Sequence, residues 1–87
     1  MCTYATETFD LAGSAKAGAW FPATRASVYV DHPVHHPRGH ALLVDVTNPS
    51  LGPGARVALE LDPASARGLA EAILRALDAA PTGLLDD

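Results

Sequence analysis

The chain has 87 residues, of which 48% are hydrophobic and 18% charged, and its formal net charge is −4. That length holds one small domain and leaves no room for a dinucleotide-binding fold. The acidic balance lacks the basic footprint of a nucleic-acid binder, and no apolar stretch reaches the ~20 residues of a membrane helix.

The opening Met1-Cys2-Thr3-Tyr4 has no basic segment ahead of an apolar core. It does not read as a signal peptide, so a cytoplasmic address is expected. The single cysteine, Cys2, cannot form an internal disulfide and agrees with a reducing compartment. A domain this small then relies on packing, a bound metal or oligomerisation.

Residues 2–11 are rich in Thr, Tyr and Phe and alternate imperfectly, which predicts a first strand. Cys2 and Tyr4 share one face of it, Glu7 and Phe9 the other. Residues 12–19 are small and read as a loop; their lysine lacks the spacing of a phosphate-binding loop. Trp20-Phe21-Pro22 leads into a strand over 24–31, with Ala26, Val28 and Val30 on one face. Residues 41–47 form the next strand and place Leu42, Val44 and Val46 on one face. Asn48 to Gly54 is a turn cluster, and residues 55–61 alternate again around Val57, Leu59 and Leu61.

Asp62-Pro63 is a helix start, with the aspartate as N-cap and the proline at the first helical position. Residues 63–80 follow helical spacing. Ala66, Leu69, Ala70, Ile73, Leu77 and Ala80 make one stripe, widened by Leu74. Pro81 and Gly83 end it. The sum is an α+β fold, a four-stranded, mostly antiparallel sheet with one C-terminal helix in the order ββββα. Residues 1–81 make the single domain and 82–87 a flexible tail. One helix covers one face only. The face carrying Tyr29, Leu43 and Ala58 is expected to be buried in a homodimer, or else covered by the segment around Trp20.

All four histidines, His32, His35, His36 and His40, lie within nine residues of the loop between the second and third strands. Imidazoles bind zinc, copper, nickel and iron, and three of them leave a coordination position open. A hairpin returns His40 toward His32, so His32, His35 and His40 are the expected ligands of a divalent transition metal. Asp31 is a weaker candidate as ligand or orienting carboxylate, and Cys2 as a ligand from outside the loop. His35 and His36 are adjacent, so in extended chain they point opposite ways and one of them faces solvent. The tract matches neither a zinc-finger spacing nor H-E-x-x-H. Without a metal, the cluster reads as an acid–base site, with His35, Glu7 and Tyr4 as candidate catalytic groups, or as a structural loop.

The opening Met1-Cys2-Thr3-Tyr4, the stretch Asp31-His32-Pro33 with His35 and His40, and Gly52-Pro53-Gly54-Ala55-Arg56-Val57 together resemble a family of short actinobacterial proteins of unknown function. The resemblance covers about residues 1–80. It implies a bacterial, single-domain, cytosolic protein and, by analogy, a place in specialised metabolism; it carries over no catalytic residue. Three readings follow from the residues. The first is a metal-binding protein, or a metal-dependent enzyme acting on a small metabolite. The second is a cofactor-free isomerase or cyclase using histidine. The third is a non-catalytic dimeric interaction module.

Overall fold

A computed structural model describes residues 4–86. Four strands, β1 (Tyr4–Ala17), β2 (Ala19–Asp31), β3 (Ala41–Thr47) and β4 (Arg56–Leu61), form one sheet in that order, each antiparallel to its neighbour. Helix α1 (Pro63–Ala79) follows. This is the α+β architecture expected from the alternation. A short 3₁₀ turn, Pro49–Leu51, occupies the expected turn cluster.

The first hairpin is longer than its side chains suggest. Residues 12–17, expected as loop, continue β1 through the pairs Gly13 with Ala23, Ser14 with Pro22 and Lys16 with Trp20. The chain reverses at Gly18, whose φ of 81° suits a residue without a Cβ. Backbone pairing, rather than apolar alternation, makes this segment a strand. Trp20, near the tip, is 68% exposed and covers neither face.

The pairing of β1 with β2 shifts register twice, between Tyr4 and Glu7 and between Asp10 and Gly13. Each shift places one extra residue on β1, as a β-bulge does. The first includes Ala5 at φ 44°, a left-handed conformation that costs an L-residue on the order of 1 kcal/mol. Opposite the second, the buried positions of β2 change parity, from Phe21 and Ala23 to Ala26. Pairing of β2 with β3 stops at Arg25. Beyond it the hairpin packs Phe21 and Ala23 against Ala55, with Leu11, Ala15, Val46 and Val57 around them.

Asn48 fastens this core. Its buried side chain donates from Nδ2 to the Pro22 carbonyl (2.9 Å) and accepts the Ser50 N–H at Oδ1 (3.1 Å). Its own N–H donates to the Ala55 carbonyl (3.1 Å). One side chain thus joins the first hairpin to the β3–β4 turn.

Helix α1 starts as expected. Asp62 caps it by accepting the Ser65 N–H at Oδ1 (2.7 Å), and Pro63 takes the first position. That bond holds the Asp62 carboxyl below the usual aspartate range. The stripe, however, does not lie on the sheet. Ala66 is half-buried, but Leu69, Ile73, Leu74 and Leu77 are 43–60% exposed. Only Asp62 separates β4, an edge strand, from the helix. So short a link leaves the helix little freedom to swing back across the sheet, and its C-terminal half overhangs. The radius of gyration is 14.6 Å, against about 12 Å for a compact chain of this length.

Candidate functional site

The histidine loop, residues 32–40, stands at one end of the sheet between β2 and β3. Glu60 of β4 holds it there. Its Oε1 accepts the N–H groups of His35 and His36, both at 2.7 Å, and its Oε2 accepts that of Val34 at 2.8 Å. A carboxylate receiving three N–H groups is strongly favoured in its charged form. The Val34 bond leads, with those of His36 and His35 behind it, in keeping the Glu60 carboxyl below the usual range.

This clamp divides the histidines. The ring of His35 points outward, its side chain 89% exposed, with Nδ1 3.7 Å from Glu60 Oε2. His36 is half-buried, so of the adjacent pair His35 is the one facing solvent. His32 and His40 meet at the loop's base, with ring centroids 4.2 Å apart and planes tilted by 36°. His32 Nδ1 lies 2.6 Å from the Gly39 carbonyl. A carbonyl only accepts, so Nδ1 carries the hydrogen and Nε2 keeps its lone pair in the neutral ring. Asp31 accepts the His32 N–H at Oδ1 (2.7 Å). Tyr4 meets the His40 ring edge-on at 5.7 Å, and Arg38 Nε donates to the His40 carbonyl (2.6 Å).

The expected ligand set of His32, His35 and His40 is therefore brought together in part. His32 and His40 are neighbours; His35 sits with Glu60. Among the described residues no group of three or more His, Cys, Asp or Glu gathers in a way that could hold a metal ion. Cys2 lies outside the described residues. Of the acid–base candidates, Tyr4 reaches the histidine pair, while Glu7 pairs with Val28 further along β1 and is exposed.

The loop separates two clefts. The first, about 510 Å³, lies between β2–β3 and the start of α1. Val28, Val30, Leu42, Ala66 and Ala70 make it apolar, and Arg38, Arg67 and His40 supply its charge and hydrogen-bonding groups. The second, about 620 Å³, opens on the other face beside Tyr29, His32, His35, Arg56 and Glu60. There the Tyr29 hydroxyl donates to Asp45 Oδ2 (2.7 Å), and Arg56 Nη2 pairs with Asp45 Oδ1 (2.6 Å). The hydrogen bond to Asp45, then burial and the Asp45 charge, push the Tyr29 phenol above its ordinary range. The face expected to close a dimer through Tyr29, Leu43 and Ala58 thus carries a fixed polar network. The larger exposed apolar surface belongs to α1.

The Glu60 clamp and the joining of Tyr29 to Asp45 and Arg56 go beyond what the sequence predicts. Their signal is parity. Residues 29, 43, 45, 56, 58 and 60 share one face through cross-strand pairs, and Asp45, Arg56 and Glu60 make that face charged. The Glu60 clamp also needs a contact spanning 24 to 26 residues, which no local pattern announces.

No helix of the described residues is long and apolar enough to cross a membrane. No curated protein and no solved structure matches the chain. One family model does match, over residues 1–86, nearly the whole length, and the chain belongs to that family of unknown function, DUF6295.

Proposed function

We propose that the chain binds a small, mostly apolar anion in the cleft between β2–β3 and α1 and moves a proton on it with His40, backed by His32. The observation that carries this reading is the cleft's composition: an apolar trough with two guanidinium groups and one imidazole at its wall. Apolar lining with a few convergent polar groups is the common form of a small-molecule site. Arg38 suits a carboxylate, and arginine binds such a group in a fork. His40, touching His32 and Tyr4, is placed to take a proton from a carbon beside a carbonyl and return it elsewhere. Such an isomerisation needs no further reactant. The resemblance to short actinobacterial proteins supports a bacterial cytoplasmic setting, with specialised metabolism as the context.

Phenylpyruvate, an apolar anion with an exchangeable C–H, is a suitable probe. NMR titration is expected to shift the methyl signals of Val28, Val30 and Leu42, and Arg38→Gln to weaken the binding. Exchange of the probe's C–H for deuterium should be accelerated by the wild type and not by His40→Gln. Shifts confined to the opposite face, or exchange unchanged in His40→Gln, would reject the reading.

A divalent transition metal at the histidine pair is a second reading. It is supported by the His32 tautomer, since an Nδ1–H bonded to a carbonyl leaves Nε2 as donor, the usual posture of a metal-ligating imidazole. Elemental analysis of tag-free protein is its test. Near-stoichiometric zinc, copper, nickel or iron, lost in both His32→Ala and His40→Ala, supports it; metal retained in both rejects it.

A further inference from the structure

Helix α1 has no buried residue, and its largest apolar side chains face solvent. The exposed area of the chain is 6323 Å². A compact monomer of 9.0 kDa exposes about 4,850 Å², so about 1,500 Å² is in excess. A standard interface removes about 800 Å² from each partner. The excess is large enough for a stable dimer, and the helix overhang, with Leu69, Ile73, Leu74 and Leu77 43–60% exposed, contributes to it.

We infer that a second copy of this chain covers the overhang, the two α1 helices pairing antiparallel about a two-fold axis near Ile73. The pattern on the helix selects this occupant. In an antiparallel pair centred there, Ile73 meets its own counterpart and Leu69 comes opposite the partner's Leu77. Arg67 and Asp78 stand eleven positions apart on one shoulder of the stripe, about three turns. Each Arg67 therefore comes opposite the partner's Asp78, and both pairs form together. The other shoulder carries Ala72 and Ala76, which allow the helices to approach closely. A two-fold interface must complement itself, and this stripe does so in both shape and charge. The dimer seam thus runs along α1, rather than across the sheet face expected from sequence.

The test is the solution mass of the full chain by light scattering over a concentration series. The wild type is expected at twice the chain mass and Ile73→Glu at the chain mass. Ile73 is 53% exposed in the single chain, so the variant should keep its far-ultraviolet dichroism. Leu51→Glu, at a 57% exposed position in the turn between β3 and β4, should stay dimeric. Asp78→Arg should weaken association, and Asp78→Arg with Arg67→Asp should restore it. A monomeric wild type, a dimeric Ile73→Glu, or a double charge exchange no tighter than the single one would overturn the pairing.

Discussion

Asn48→Ala tests how the first hairpin is held to the rest of the sheet. The substitution removes two side-chain hydrogen bonds, to the Pro22 carbonyl and from the Ser50 N–H. Each contributes about 1 kcal/mol net. Pro22 and Ser50 are exposed, so water can satisfy the abandoned groups, and the loss should stay near 2 kcal/mol. A chain of this size has a total stability of roughly 4–13 kcal/mol. The melting temperature should fall by about 8–16 °C, at about 4–8 °C per kcal/mol. Urea unfolding at matched protein concentration is the assay, and the midpoint should move while the slope stays constant. Asn48→Asp is the sharper comparison. It keeps an acceptor for Ser50 but turns an oxygen toward the Pro22 carbonyl, so its loss should equal or exceed that of alanine. If Asn48→Asp unfolds like the wild type, the Nδ2 bond does not hold the hairpin.

Glu60→Gln should release the histidine loop, because an amide offers one acceptor atom where the carboxylate offers two. Hydrogen exchange at the Val34, His35 and His36 amides should accelerate, and unchanged exchange would remove the clamp from the account. The Glu60 carboxyl is depressed in the folded state, so its contribution is complete above the ordinary glutamate range and is lost as pH falls through the lowered value. The melting temperature of the wild type should therefore decline in acid more steeply than that of Glu60→Gln. Tyr29 ionises above the ordinary tyrosine range, and ultraviolet titration should show a late phenol that Asp45→Asn returns toward normal. Phe21→Ala should cost about 3 kcal/mol, the lower end for a buried phenylalanine, since Phe21 is 9% exposed and its small core can partly collapse. It should also speed amide exchange across residues 11–23, and a uniform effect over the whole sheet would contradict a local core.

The parts of the fold that repeat at short range were readable in the sequence. Val28 and Val30, Leu42 to Val46, and Val57 to Leu61 alternate, and Asp62-Pro63 marks the helix start by a side chain and a ring acting on the next turn. Residues 12–17 were not readable, because small side chains carry no alternation and their partner strand decides their state. The overhang of α1 was hidden for a related reason. The stripe from Ala66 to Leu77 shows that the helix has something to bury, but not whether the sheet below or another surface does so. At the site, the proximity of His32 and His40 follows from a hairpin closing on itself. The diversion of His35 follows from Glu60, whose influence reaches the loop only once β4 has folded beside β3.

The two bulges in β1 have a consequence for how this protein stays separate from its neighbours. β1 is an edge strand of 14 residues, long enough for its unpaired backbone groups to template the strand of another molecule. Ala5 and the Asp10–Gly13 shift interrupt that edge at two points, so no long, evenly spaced row of donors and acceptors faces solvent. A variant with one residue deleted at each shift would straighten the strand. Its hairpin would remain paired with β2, and its outer edge would become a surface on which sheets can grow into fibres.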